Sequence, residues 1–288
     1  MSNTSIMNIA YSPCPNDTFV FHAWAHGLVP GAPKLNVTYA DIDITNHLAA
    51  RGEGPEVLKI SYAALPWVLK DYALLPCGGA LGRGCGPLVL TRSGLSAEAD
   101  PGLLSGKRVA VPSDRSTAYL LFRLWAAQKV PGGVGEIVVM PFDEIMPAVR
   151  DGKIDAGLVI HEARFTYPSY GLALLQDLGS WWEEDTGTPI PLGAIIARRS
   201  LDLAPIPGWV RASIDYGWAH PEASKAYILE HAQEMDPDVA QQHINLYVNE
   251  FTRDLGTDGY KAISSLLGRA GAEGLIPEFD LGLLKFEA

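Results

Sequence analysis

Ile6-Met7-Asn8-Ile9-Ala10-Tyr11 runs directly into Ser12-Pro13-Cys14-Pro15-Asn16-Asp17-Thr18-Phe19, and the reading of the whole chain starts from these residues. The first six read as a strand, and an apolar helical pattern begins at Phe19. Between them, two prolines fix φ at their own positions and push Ser12 and Cys14 toward extended backbone. Asn16, Asp17 and Thr18 are the residue types that open helices. The stretch predicts a rigid strand-to-helix turn that presents hydroxyl, thiol, amide and backbone N–H groups at the carboxyl end of a strand. Ligands bind at that end of open α/β sheets, so Ser12 and Asn16 become candidate substrate contacts.

Working outward, strand-like runs recur at 35–39, 57–60, 87–91, 107–111, 137–140, 156–160 and 192–197. Helical patterns intervene at 18–26, 45–51, 62–70, 117–128 and 144–150, and helix dominates from Pro207 onward, as at 221–235 and 238–251. Such alternation predicts an α/β fold of βαβ units with mostly parallel sheet. Gly86-Pro87-Leu88-Val89-Leu90-Thr91-Arg92 and Pro191-Leu192-Gly193-Ala194-Ile195-Ile196-Ala197-Arg198-Arg199 share a pattern of proline in front, apolar strand, and arginine behind. Read as two crossings, they divide the chain into one lobe of residues 1–92 with 196–288 and a second lobe of residues 93–195. Two lobes hinged on two strands predict a cleft that closes over a small molecule.

Composition excludes several classes. The 288 residues are 48% hydrophobic and include 7 tryptophans, enough for a large core. No run approaches the roughly 18 apolar residues of a spanning helix, and Met1 to Met7 has neither a basic nor an apolar leader region. Unless an export signal precedes this sequence, the protein is expected in the cytoplasm without membrane insertion. A formal charge of -11 argues against a nucleic-acid partner. Three cysteines without CxxC spacing indicate neither a disulfide framework nor a zinc site. The oligomeric state is left open.

Four loops follow strands and carry polar side chains suited to a small polar ligand: Ser12 to Thr18, Lys59-Ile60-Ser61, Pro112-Ser113-Asp114-Arg115-Ser116-Thr117, and His161-Glu162-Ala163-Arg164. Ser61, Ser116 and Thr117 stand at helix starts, where unpaired N–H groups and the helix dipole favour a carboxylate or phosphate. Ordinary helix caps place the same residues there, and it is four such loops facing one cleft that point to a ligand site. His161 follows the apolar run Ala156 to Ile160, so its ring should emerge at a strand end as a mostly neutral base. The other histidines lie on helical patterns and read as structural. Glu162 either orients His161 or is simply exposed. Cys14 reads as pocket wall, with a nucleophile as the lesser alternative, and Trp181 and Trp182 either pack on an aromatic ligand or belong to the core. The glycines of 78–86 lead into a strand and lack a Lys-Ser/Thr ending, which predicts a flexible connection and not a nucleotide loop. His161-Glu162-Ala163-Arg164-Phe165 begins like a zinc helix, but Phe165 stands where the second histidine ligand would be.

With the SPCPNDTF turn, Lys59-Ile60-Ser61, Ser116-Thr117 and Ile160-His161-Glu162 in view, the chain resembles the 1,4-dihydroxy-6-naphthoate synthase family of the futalosine route to menaquinone over essentially its whole length. The resemblance implies a two-lobed fold like that of type II periplasmic binding proteins, with the active site in the interlobe cleft. It implies cleavage of cyclic dehypoxanthinylfutalosine to 1,4-dihydroxy-6-naphthoate and dihydroxyacetone, a small-molecule carboxylate substrate and no cofactor or metal. It places the general base on His161 and substrate contacts on Lys59, Ile60, Ser61, Ser116 and Thr117. Chorismate dehydratase of the same pathway and a non-catalytic solute-binding protein are the competing readings.

Overall fold

A computed structural model describes residues 5–93, 100–232 and 236–287. The chain begins with strand β1 (Ile6–Tyr11), helix α1 (Pro15–Ala25), β2 (Lys34–Tyr39), α2 (Ile42–Ala50), β3 (Val57–Ser61), α3 (Leu65–Val68), β4 (Tyr72–Leu74) and β5 (Ala80–Gly82). It continues through β6 (Leu88–Arg92), β7 (Val109–Val111), α4 (Thr117–Lys129), β8 (Ile137–Val139), α5 (Phe142–Arg150), β9 (Ala156–Val159), α6 (Ala163–Thr166), β10 (Leu172–Asp177) and α7 (Leu178–Thr186). It ends with β11 (Ile190–Arg198), α8 (Ile206–Ala219), α9 (Lys225–His231), α10 (Pro237–Tyr247), α11 (Glu250–Arg253) and α12 (Gly256–Ala272). Residues 233–235, the end of the helix expected at 221–235, lie outside the described residues. No helix among the described residues is long and apolar enough to cross a membrane.

Two compact units result: Met1–Gly82 with Pro191–Ala288, and Arg83–Ile190. The chain passes between them at Gly82/Arg83 and Ile190/Pro191, whereas the sequence reading set the passages at Arg92 and Ile195. The pairing accounts for the offset. All of β6 is laddered to β9 and β10 in the second unit, and β11 is laddered to β3 and β4 in the first.

In the first unit the sheet order is β2-β1-β3-β11-β4, with β5 paired to β11. β1 runs parallel to β2 and β3, while β11 runs antiparallel to β3 and β4. The expected mostly parallel sheet is therefore mixed. A parallel neighbour needs a crossover connection, and β11 enters its sheet straight from the other unit, free of that constraint. The two faces bury separate cores. Phe19, Phe21 and Trp24 of α1 pack with Val210, Ile214 and Ile244 on one side, and Leu58, Ile60, Leu65, Ile196, Ile263 and Leu267 pack on the other. Side chains alternate along a strand, so Lys59 shares the α1 face with Val57, opposite Leu58 and Ile60. The Tyr227 hydroxyl of α9 lies 2.7 Å from both Tyr11 and Tyr39 hydroxyls, tying that helix to β1 and β2.

In the second unit the order is β10-β6-β9-β7-β8, again mixed, with β7 parallel to β8 and β9 and the rest antiparallel. Strand β10 was missed because Leu-Ala-Leu-Leu favours helix and its ladder to β6 is interrupted between Leu174 and Gln176. Strands β4 and β5, three residues each, are too short to show alternation. The single helix expected at 238–251 is two. Asn249 interrupts it, its Oδ1 accepting from the Phe251 amide at 2.9 Å while its own N–H donates to Thr252 Oγ1 at 3.1 Å. That reciprocal box starts a new helix. Trp182 is core, fully buried with its Nε1 donating to Thr188 Oγ1 at 3.1 Å.

Candidate active site

In the first unit the turn after β1 closes into the helix earlier than its sequence suggests. The N-cap is Cys14 and Pro15 takes the first helical position, where its missing N–H is no loss. Asn16, Asp17 and Thr18 therefore form the first turn instead of capping it, and Thr18 Oγ1 donates to the Cys14 carbonyl at 3.0 Å. This arrangement aims Asp17 at the sheet. Ser12 Oγ donates to Asp17 Oδ2 at 2.8 Å, Asn16 Nδ2 donates to Asp17 Oδ1 at 2.8 Å, and Lys59 Nζ pairs with the same Oδ1. The Lys59 and Asp17 side chains are 4% and 3% exposed, so this is a buried ion pair completed by hydrogen bonds. The structure thus brings Ser12, Asn16 and Lys59 together, and the residue that joins them is Asp17, which the sequence reading treated only as a helix opener.

Ser61 ends β3 beside the same turn. Its amide donates to Asn46 Oδ1 at 2.8 Å and its Oγ accepts from Asn46 Nδ2 at 3.0 Å, so Asn46 of α2 occupies the backbone donor expected for a ligand. The Ser61 hydroxyl hydrogen is left for another acceptor. Ile60 points into the core with 0% exposure, which leaves its main chain as the part able to touch a ligand. Gly193 of β11 lies opposite Ser61, and a Cβ there would stand 2.5 Å from Lys59 Cε. The glycine provides the lane along which Lys59 reaches Asp17.

In the second unit Ser116 is the N-cap of α4. Its Oγ accepts from the Tyr119 amide at 3.1 Å and donates to the Ser113 carbonyl at 3.1 Å. The hydrogen and one lone pair of that hydroxyl are used inside the loop, which leaves its second lone pair for a ligand. Thr117 opens α4 and is buried. His161 follows β9 with φ 55°, the one left-handed non-glycine among the described residues, and its ring meets Phe142 edge-on at 5.5 Å. A bulky side chain in that region is strained by about 1–2 kcal/mol. Glu162 is buried at the start of α6. Arg164 explains why the segment continues with an arginine: its guanidinium donates to the Gly86 carbonyl at 2.7 Å and to Asp177 Oδ2 at 2.5 Å. Asp177 in turn accepts from the Gly179 amide at 2.8 Å, capping α7. Gly86 and Gly179 approach so closely that a Cβ on Gly86 would stand 2.1 Å from the Gly179 nitrogen. Arg164 therefore clamps the loop that carries His161. The 78–86 segment, expected to be flexible, contains β5 and buried glycines, with the Gly78 amide donating to the Thr252 carbonyl at 2.6 Å.

Burial pushes the Cys77 and Cys85 thiols up to about 12. The thiolate is the nucleophile, so neither residue should react with iodoacetamide at pH 8 in the folded protein. Mass spectrometry before and after denaturation checks this; modification of Cys77 or Cys85 in the native protein at the rate of a free thiol would contradict it.

The mixed two-unit architecture is that of the periplasmic binding proteins. The alkanesulfonate-binding protein of Xanthomonas axonopodis pv. citri matches with TM-score 0.72 at 16% identity, covering 96% of each chain. A protein of Archaeoglobus fulgidus solved by X-ray crystallography matches with TM-score 0.85 at 34% identity, over 94% of this chain and 98% of that one. Residues 7–272 match the menaquinone biosynthesis family model, and the chain belongs to that family. A 1,4-dihydroxy-6-naphthoate synthase of Streptomyces coelicolor is 70% identical over 283 residues, 97% of this chain and 98% of the relative. The Thermus thermophilus enzyme of the same name is 45% identical over 272 residues, 93% of this chain and 95% of the relative.

Proposed function

We propose that the chain is a carbon–carbon lyase that splits cyclic dehypoxanthinylfutalosine into 1,4-dihydroxy-6-naphthoate and dihydroxyacetone, with His161 as general base. The observation that carries the assignment of the base is the left-handed backbone at His161, held at the carboxyl end of β9 by the Arg164 clamp. Strain of this kind persists where the surroundings over-determine it, and such positions gather at functional sites. The activity itself is supported by the identity to the Streptomyces coelicolor and Thermus thermophilus enzymes.

His161 takes a proton from a hydroxyl on the sugar-derived part of the substrate. The electron pair of the alkoxide forms a carbonyl as the neighbouring carbon–carbon bond breaks, and the pair from that bond passes into the bicycle, which becomes aromatic. One proton is transferred and the two electron pairs shift without net oxidation, so this step calls for no redox cofactor. Lys59, the Ile60 main chain, Ser61, Ser12, Asn16, Ser116 and Thr117 are the proposed substrate contacts. In this role Ser61 offers a hydroxyl hydrogen, and Ser12, whose own hydrogen is given to Asp17, offers only lone pairs. Ser61 therefore suits the substrate carboxylate and Ser12 a substrate hydroxyl. The assay incubates purified protein with the cyclic futalosine derivative and follows the naphthoate by mass and absorbance. Absence of product from the wild-type protein rejects the activity.

A further inference from the structure

We propose that His243, on α10, is a positioning residue for the Ser12–Asp17–Lys59 cluster and acts on it through the amide of Asn16. The proposal rests on the reading of Ser12 and Lys59 as substrate contacts. His243 is 1% exposed, and its Nε2 lies 3.0 Å from Asn16 Oδ1. The direction of every bond in the chain follows from the carboxylate. Asp17 only accepts, so the Asn16 atom facing it is the amide nitrogen, at 2.8 Å. The Asn16 oxygen is then turned to His243, and because that oxygen also only accepts, His243 Nε2 carries the hydrogen. The carboxylate and one histidine N–H thus hold the Asn16 amide from its two ends.

Remove that hydrogen and the amide is held from the Asp17 side alone. With its oxygen end released, Asn16 steadies Asp17 Oδ1, the atom that also holds Lys59 Nζ, less firmly. Lys59 cannot move sideways to compensate without leaving the lane beside Gly193, where its Cε already passes within 2.5 Å of a would-be Cβ. The ion pair and the Ser12 hydroxyl would both lose their fixed direction. His243 itself sits on the C-terminal helical part of the first unit, and its route to the cluster runs through Asn16.

The test compares His243→Leu, which removes the donor, with His243→Gln, whose amide nitrogen reaches the place of Nε2. Expected is a rise in KM of about tenfold for the leucine variant with a much smaller change in kcat, since His161 is untouched, and a return to near wild-type KM for the glutamine variant. Equal KM defects in both variants, or a wild-type KM in a folded leucine variant, would overturn the proposal. A tautomer measurement needs no variant: nitrogen-15 NMR of the wild-type protein should show the His243 hydrogen on Nε2, and an Nδ1–H tautomer with bare Nε2 overturns the proposal even if the leucine variant does not fold. The tautomer is read without substrate, so a wild-type protein that makes no naphthoate rejects the assigned activity while leaving the His243 chain to be judged on its own.

Discussion

Replacing His161 by asparagine is expected to lower kcat by about 10²–10⁴-fold while leaving Tm unchanged or slightly raised. Asparagine is the informative choice because of the backbone. His161 adopts φ 55°, and asparagine enters the left-handed region more readily than most side chains. Alanine would keep the strain and lose the ring, mixing a folding defect with a chemical one. The asparagine amide cannot take up a proton at neutral pH, so the proposed base is removed while the proposed substrate contacts of the first unit are left in place. Steady-state rates of naphthoate formation, with a thermal melt on the same sample, separate the two effects. Turnover within about threefold of wild type would remove His161 from the role of base, and a melt lowered by ten degrees would show that the ring serves the fold.

The second large effect is expected at Asp17. Its carboxylate accepts from Ser12, Asn16 and Lys59, and neither it nor Lys59 reaches water appreciably. Asp17→Asn leaves a buried ammonium without its counter-charge, which typically costs about 3–5 kcal/mol. For a protein of this size that corresponds to a fall in Tm of roughly 10 °C. Removing both charges, Asp17→Asn with Lys59→Met, should restore a good part of the loss, because the cost lies in the unpaired charge more than in the missing attraction. Thermal melts of the two single variants and the double variant measure the coupling. Additive losses would show that the pair does not act as a unit. The double variant should remain poor in turnover even where stability returns, since Lys59 is also a proposed substrate contact.

Much of this cluster was legible in the chain itself. The prolines of the turn made its rigidity readable, and Ala156 to Ile160 announced a strand whose end would present His161. What could not be read was which hydrogen-bonding partners the loops already had. Asn46 is fifteen residues from Ser61, and His243 is 227 residues from Asn16, so no local spacing links them. Asp17 was visible only as a residue type that begins helices. Its distinct role depends on Pro15 starting α1 three positions before Thr18, which turns the carboxylate toward β3. Sheet direction was misjudged for a similar reason. Alternating strands and helices imply crossovers, but β6 and β11 each join a sheet directly from the other unit, a fact of topology that periodicity does not carry.

The first unit is made of two separated stretches, and its sheet is finished only by β11. On the ribosome this fixes an order of events. β3 is synthesised well over a hundred residues before its antiparallel partner, so its β11 edge, a run of Val-Leu-Lys-Ile-Ser, waits unpaired while the second unit is completed. An open apolar edge is a template for unwanted pairing. Nascent chains stalled when residue 190 has just cleared the exit tunnel should therefore protect the 83–190 region from protease while 57–61 remains cleavable, and protection of both at that length would show that β3 is covered by something other than β11. The lysine in the middle of that strand bears on the same interval: a charged side chain next to an open edge disfavours pairing between incomplete chains.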